Sequence, residues 1–194
     1  MKKGKQKIID VTFELILEQG IKETSVRDIA KAAGVSIGTF TYHYPNKEEL
    51  LFDIFEMVSG KQDKVLEEAF ASNTLEEKKK ALEKILREAT SNAYFMKLNY
   101  YLLSEAFAQN TTMLEKMKEK YSVWRMQFQE YLYGEIKAHG KEEALNASLL
   151  LAMIDGLGIQ LLLDEASIDV KAMADKVIDI LYSCLLYTSD AADD

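Results

Sequence analysis

The chain has 194 residues, of which 32 are acidic, 24 are basic, nine are glycine, one is proline and one is cysteine. Proline breaks helix interiors, so a single proline in a chain of this length favours long helices. The hydrophobic fraction of 48% supplies a core and excludes general disorder. Uninterrupted apolar runs stay below about 18 residues, so we expect neither a membrane span nor a secretion signal. One cysteine cannot form an internal disulfide, which fits a reducing, cytoplasmic location.

The charge is distributed unevenly along the chain. Residues 1–47 contain eight Lys and Arg against five Asp and Glu, a net charge of +3, while the rest of the chain carries −11. An overall charge of −8 argues against a nucleic-acid partner. Nucleic-acid binding depends on the local charge, however, so the basic amino-terminal segment is still compatible with a nucleic-acid partner. The alternative is that the uneven charge is a chance fluctuation.

Apolar residues recur at helical spacing along nearly the whole chain. Capping residues mark several helix starts, such as Thr24 or Ser25, then Ser36, then Asn46 after Pro45. No segment shows sustained two-residue alternation, so no sheet is expected. The sequence predicts an all-α protein of about nine helices, covering roughly residues 5–19, 25–33, 36–42, 46–71, 75–90, 93–109, 112–139, 142–165 and 168–183.

Two of the short helices form a candidate helix-turn-helix. They are joined by Ala33-Gly34-Val35-Ser36, and glycine permits the tight reversal that such a unit needs. In a helix-turn-helix the second helix enters the major groove of DNA and presents its exposed side chains to base edges. The side chains so presented here are Ser36, Ile37, Gly38, Thr39, Thr41, Tyr42 and His43.

Residues 24–40, TSVRDIAKAAGVSIGTF, followed by residues 42–50, YHYPNKEEL, resemble the TetR (tetracycline-repressor) family. Members of that family are dimeric, ligand-responsive transcriptional repressors. The signature covers about residues 5–55, and the remaining chain matches in the number and order of its helices. The resemblance implies a helix-turn-helix DNA-binding domain over residues 1–47 and a helical regulatory and dimerisation domain over residues 48–183.

The resemblance also implies roles for individual residues at a double-stranded DNA operator. Thr24 and Ser25 would bind phosphate at a helix amino terminus, and Arg27 would reach phosphate or a base edge. Thr41 departs from the family pattern, which commonly has an aromatic residue there. The base-facing set would be Ser36, Ile37, Gly38 and Thr39, and the set that holds the DNA backbone would be Tyr42, His43 and Lys47.

The middle of the chain is rich in aromatic residues and methionine, and in the family this region surrounds a ligand cavity. Most of these residues are ordinary core at helical spacing. Aromatic walls with polar tips would nevertheless suit a hydrophobic or amphipathic small-molecule inducer. The expected lining is Tyr94, Asn99, Phe107, Trp124, Phe128 and Gln160.

The last two helices predict a homodimer. One of them is apolar around much of its circumference, which is more than a single core face uses. Two such helices from each of two chains can form a four-helix bundle across a twofold axis. The expected interface residues are Met153, Leu157, Leu161, Ile178 and Leu181.

The last eleven residues, 184–194, have the sequence CLLYTSDAADD. This string resembles the in-frame translation of a transposase-based sequencing adapter, so we treat it as an adapter-derived tail and expect the native reading to stop near Ser183. A genuine polar tail is the alternative, and resequencing the locus from an independent library would decide.

Enzymatic motifs are missing from the sequence. There is no phosphate-binding glycine loop, nucleophile elbow or paired zinc motif, so we expect no catalytic residue, no metal and no cofactor. Two alternatives to a ligand-released repressor remain. One is a DNA-binding protein of the same fold controlled by a protein partner, and the other is a helical interaction module that binds no DNA.

Overall fold

The computed structural model describes residues 2–70, 74–91, 93–108, 110–134, 140–164, 166 and 168–189. Within these ranges the chain forms helices and no β-strand, which confirms the predicted all-α class. The helices are α1 (Lys2–Gln19), α2 (Val26–Ala33), α3 (Ile37–His43), α4 (Lys47–Phe70), α5 (Leu75–Ser91), α6 (Ala93–Phe107), α7 (Thr111–Tyr133), α8 (Lys141–Leu163) and α9 (Val170–Ser189).

α1 and α7 each have one end that lies several residues from its predicted position. α1 begins at Lys2 rather than near Lys5, and two of the three added residues, Lys2 and Lys3, are good helix formers. α7 ends at Tyr133, before the predicted end at residue 139. The next residue, Gly134, has a φ of +83°, a left-handed conformation that ends helices. Residues 135–139 lie outside the described part of the chain.

The final helix also differs at both ends. It begins at Val170, after Asp169 accepts a hydrogen bond of 3.1 Å from the Ala172 backbone N–H. An aspartate in this position caps the free N–H groups of a helix start. The helix continues past Ser183 to Ser189, so its backbone includes six of the residues that resemble the adapter.

The chain divides into two compact units. The first comprises Met1–Ser59 with Lys97–Leu114, and the second comprises Gly60–Met96 with Glu115–Asp194. The core of the first unit includes Leu98 and Leu102 of α6 and the fully buried apolar side chains of α1 to α4, among them Ile8, Ile29, Phe40, Leu50, Leu51, Ile54 and Phe55. Their burial fixes the short helices α2 and α3, which are too short to be stable alone.

The core of the second unit lies where α5 packs against α8 and α9. Leu82 and Leu86 of α5 are buried, as are Leu150 of α8 and Ile178 of α9. Lys79 of α5 adds an ion pair of 2.7 Å with Asp179. Burial of these apolar side chains accounts for most of the stabilisation, since a partly exposed ion pair contributes little.

Among the described helices, α8 is long and apolar enough to cross a membrane by length and composition alone. One third of its apolar window is buried inside the protein. A core helix of a soluble protein passes the same test, so this is weak evidence for a membrane span.

Candidate functional site

The turn between α2 and α3 is held by local backbone and side-chain contacts. Ser25 caps α2 by accepting a hydrogen bond of 3.2 Å from the Asp28 N–H, and Asp28 accepts one of 3.0 Å from the Ser25 N–H. The Ser25 hydroxyl also donates to the Asp28 carboxylate, and this bond, together with the one from the Ser25 N–H, lowers the pKa of the Asp28 carboxyl. At the other end of α2, Gly34 has a φ of +67° and its N–H closes the helix on Ala30 and Lys31. The glycine therefore makes the sharp reversal into α3, as predicted.

The recognition helix α3 has one buried and one exposed face. Phe40 is fully buried in the first unit, whereas Ile37 is 49% exposed and Tyr42 is 70% exposed. Gly38 and Thr39 are also exposed, and a Cβ added at Gly38 would meet only the Ser36 Oγ, at 3.7 Å. The exposed face of α3 is therefore available for contact with a partner.

The hydroxyl groups at the start and in the middle of α3 already form hydrogen bonds within the helix. Ser36 is the N-cap, and its Oγ accepts from the Thr39 N–H at 3.0 Å and lies 2.9 Å from the Thr39 Oγ1. Thr41 donates to the carbonyls of Ile37 and Gly38 at 3.1 Å. Ser36 and Thr39 thus form a local pair at the start of the helix, while the Thr41 hydroxyl turns back on the helix.

Lys47, predicted to hold the DNA backbone, is half-buried at the start of α4. Its ammonium donates to the carbonyls of Ile21 and Thr24 at 3.0 and 3.2 Å, and lies 5.8 Å from the centre of the Tyr101 ring. Burial, with Glu105 and Glu48 nearby, raises the pKa of Tyr101 to about 12. Two of the three ammonium hydrogens of Lys47 therefore hold the α1–α2 loop.

The other predicted residues of this surface fall into two groups. Ser25 and Arg27 are exposed, and the partly exposed ring of His43 meets Tyr42 edge-on with ring centres 5.2 Å apart. The Thr24 side chain is fully buried and donates to the Gly20 carbonyl at 2.8 Å. The Thr24 side chain is therefore committed inside the domain, away from the position that a phosphate contact requires.

The second unit contains an aromatic cluster with a half-buried carboxyl group. Trp124 meets Tyr121 and Phe95 edge-on, with ring centres 5.1 and 6.4 Å apart. Tyr121 donates a hydrogen bond to Asp155 of α8, yet burial raises the pKa of Asp155 to about 6. The buried Oε1 of Gln127 has no hydrogen-bond partner among the described residues. The second unit thus contains aromatic side chains and a few polar atoms away from solvent, which are the residue types that usually build a ligand site.

The six residues predicted to line the ligand site do not share one environment. Trp124 and Phe128 are buried in the second unit, where the Tyr94 hydroxyl is buried as well and its pKa is raised by burial. Asn99, also buried, belongs to the first unit. Phe107 is 75% exposed at the end of α6, and Gln160 is exposed on α8.

Sequence reasoning missed Tyr121, Gln127 and Asp155. The available signal was Asp155 itself, a carboxylate within an apolar helix segment, because such a group needs a polar partner inside the protein.

The predicted dimer residues lie mostly in the core of a single chain. Leu157, Leu161, Ile178 and Leu181 are buried within the protomer, and Met153 is half-buried. A side chain that is already buried offers little surface to a second copy. The exposed apolar residues of α8 belong instead to a different set, which includes Leu145, Leu149, Ala152, Ile159 and Leu163.

No group of three or more His, Cys, Asp or Glu side chains suited to a metal ion occurs among the described residues.

Comparison with known proteins identifies the amino-terminal segment. Residues 8–54 match the family model described as bacterial regulatory proteins, tetR family. The HTH-type transcriptional regulator PksA of Bacillus subtilis is 24% identical over 170 residues, which cover 86% of this chain and 82% of that protein. The fatty acid metabolism regulator protein of the same organism is 26% identical over 185 residues, which cover 91% and 92%.

A solved structure has the same fold. The transcriptional regulator FadR of Bacillus subtilis, crystallised in complex with stearoyl-CoA, superposes with a TM-score of 0.65 at 23% identity and covers 91% of this chain and 96% of that one. The matches speak against a helical module that binds no DNA. The capped α2, the Gly34 turn and the exposed face of α3 lie within the segment that matches the family model. Residues 8–54 therefore form a DNA-binding domain of the TetR family, and the chain is similar over most of its length to transcriptional regulators.

Proposed function

We propose that the chain is a homodimeric repressor that places two copies of α3 in successive major grooves of a near-palindromic operator and is released by a small molecule. The observation that carries this proposal is the exposed face of α3. The Ile37 and Tyr42 side chains on this face are exposed to solvent, and Gly38 has no side chain to block the approach of DNA. Ser36, Ile37, Gly38 and Thr39 read base edges. Recognition helices of such dimers lie one helical turn apart, about 34–36 Å.

Contacts to the DNA backbone surround this helix and fix its register. Ser25 and Arg27 approach phosphate from the start of α2, while Tyr42 and His43 approach it from the end of α3. The third ammonium hydrogen of Lys47 adds a charged contact. A cytoplasmic location follows from this activity, since the operator is bacterial genomic DNA.

Selection from random duplex DNA tests the DNA-binding part of the proposal. The native chain is expected to enrich a near-palindrome whose half-sites are centred about 10 base pairs apart. A variant with Thr39→Ala and Tyr42→Ala, both exposed positions, is expected to lose that enrichment without losing its fold. Failure of the native chain to enrich any sequence at low salt would contradict the proposal.

The second copy docks on the exposed side of α8. Leu145, Leu149, Ala152, Gly156, Ile159 and Leu163 follow one another at spacings of four and three residues, the repeat that aligns one apolar seam along a pair of helices. No side chain along this seam is charged. A Cβ added at Gly156 would meet nothing within 4 Å in the protomer, so the seam contains a notch next to Ala152 where two helices can approach closely.

The inducer is a hydrophobic or amphipathic molecule held by the aromatic cluster of the second unit. Two proteins similar to this chain support a fatty-acyl thioester as the first candidate, namely the fatty acid metabolism regulator protein and FadR with its stearoyl-CoA. The acyl chain would lie against Trp124 and Phe128, and amide N–H donors of the pantetheine arm would suit the acceptor oxygens of Gln127 and Asp155. A ligand releases DNA only if it binds the DNA-free conformer more tightly.

Ligand titration of the operator complex tests this part. Stearoyl-CoA is expected to dissociate the complex, whereas free CoA lacks the apolar chain and is expected to leave it intact. An amphipathic cation serves as the competing ligand class. A protein-partner mechanism would be favoured if none of these compounds changes either DNA affinity or thermal stability.

A reporter gene placed behind the selected operator distinguishes repression from activation. Deleting the regulator raises expression if it is a repressor and lowers expression if it is an activator. The proposal predicts the rise.

A further inference from the structure

The amino-terminal turn of α1 lies against the helix-turn-helix. A Cβ added at Gly4 would stand 3.5 Å from Nε2 of His43, at the end of α3. Lys7 reaches the turn before α3, because its Nζ lies 3.5 Å from where a Gly34 Cβ would stand. One turn of α1 therefore contacts both the entry to the recognition helix and its last residue.

An ion pair of Lys5, in the same turn of α1, fixes this arrangement. The Lys5 ammonium forms an ion pair of 2.7 Å with Asp53 of α4 and lies 5.1 Å from the centre of the Tyr44 ring. Tyr44 itself donates to the same carboxylate at 3.0 Å. Lys5 is therefore committed to positioning α1, and its charge is neutralised within the protein.

Lys7 differs from Lys5 in having an uncommitted charge. Its side chain is exposed, and its ammonium forms no ion pair or hydrogen bond with the described residues. The acid one turn along, Asp10, accepts a hydrogen bond of 2.8 Å from Gln6 instead. Lys7 thus adds a full positive charge beside the Gly34 turn.

We infer that Lys7 is a further DNA contact, which binds a phosphate of the operator next to the groove that α3 enters. The inference rests on the proposed DNA-binding mode. Phosphates border the major groove on both sides, about 12 Å apart, and a lysine stem beside the start of α3 is long enough to meet one of them. Such a contact positions the protein without selecting sequence.

A structural role is the competing explanation. A cation near the end of α2 also interacts favourably with the carboxyl-terminal end of the helix dipole. The two roles differ in their dependence on salt, because only a phosphate contact releases counterions from DNA.

The test measures operator affinity against salt concentration for the native chain, Lys7→Gln, Lys7→Arg and Lys118→Gln. Lys118 is an exposed lysine on α7 of the second unit, so its variant carries the same loss of charge. Lys7→Gln is expected to lower the slope of log affinity against log salt by about 0.9 per chain, and the affinity at 0.15 M salt by about fivefold per chain. The same losses should appear on an unrelated duplex, Lys7→Arg should restore binding, and Lys118→Gln should match the native chain.

An unchanged slope in Lys7→Gln, with or without a lower melting temperature, would overturn the phosphate contact and leave the proposed function intact. Absence of salt-dependent DNA binding by the native chain would overturn both.

Discussion

The hydroxyl of Tyr44 donates a hydrogen bond of 3.0 Å to Oδ2 of Asp53 and so ties the residue after α3 to α4 across the Pro45 turn. Burial, with the nearby Asp53 carboxylate, raises the pKa of Tyr44, so the hydroxyl stays protonated and continues to donate. The orientation of the recognition helix thus depends on a polar contact beneath it.

Replacing Tyr44 by phenylalanine should destabilise the first unit. The ring and its packing are retained, but a hydrogen bond to a charged, partly exposed acceptor is lost, which costs about 1 kcal/mol. Urea denaturation measures the loss. Tyr42→Phe is the matched control, because that ring is largely exposed. Equal stability of Tyr44→Phe and the native chain would show that the bond contributes nothing.

Thr39 and Lys47 should affect DNA binding in different ways. Lys47→Ala is expected to weaken binding to every sequence and to flatten its salt dependence, with some loss of stability because two carbonyls lose their donor. Thr39→Ala should instead change the preferred base at one position of each half-site. Anisotropy titrations at several salt concentrations check both. Operator affinity of Lys47→Ala that equals the native value at low and high salt would refute the phosphate role.

Asp155 should make stability depend on pH. Its pKa is raised from 3.8 to about 6, so between these values the folded chain binds more protons than the unfolded one and stability falls as pH rises. Asp155→Asn removes this cost, with a gain of at most about 3 kcal/mol above pH 6 at about 1.4 kcal/mol per pH unit. The gain should disappear near pH 4. Thermal melts at pH 4.5 and 7.5 measure it, with the exposed Asp10→Asn as control.

A gain for Asp155→Asn that is the same at both pH values would mean that the carboxyl is not held in its neutral form by burial.

The seam on α8 gives a direct test of the dimer. Gly156→Leu should leave the protomer folded, because a Cβ at this position meets no atom of the protomer within 4 Å, and should separate the two copies by filling the notch. Light scattering at micromolar concentration is expected to give a dimer mass for the native chain and a monomer mass for the variant. Leu161→Ala is the contrasting variant, since that buried side chain should lower stability by about 2–5 kcal/mol. A dimeric Gly156→Leu would place the interface elsewhere.

Local signals explain what the sequence predicts correctly. The cap at Ser36, the turn at Gly34 and the helical spacing that buries Phe40 each depend only on nearby residues. The position and the exposed face of α3 therefore follow from the local sequence. The helices of the second unit follow from the same periodicity.

Contacts between distant segments explain what the sequence could not predict. α8 is apolar on nearly every side, so its composition does not tell which side packs on α5 and α9, and the expected interface residues Leu157 and Leu161 turn out to be core. The contact of Tyr121 with Asp155 joins residues far apart in the chain. Likewise, no sequence pattern indicates that the carbonyls of Ile21 and Thr24 accept hydrogen bonds from the Lys47 ammonium.

The most direct test of DNA reading by α3 is the operator affinity of Gly38→Leu, measured by fluorescence anisotropy on the selected operator and on a scrambled duplex. A side chain at this position has room in the free protein, and leucine is a better helix former than glycine by roughly 0.8–1 kcal/mol, so the melting temperature should stay level or rise. Base-edge contacts should nevertheless be lost, lowering operator affinity by about 5- to 150-fold, as expected for 1–3 kcal/mol, with little change on the scrambled duplex. Native affinity for the operator in a folded Gly38→Leu variant would contradict the account.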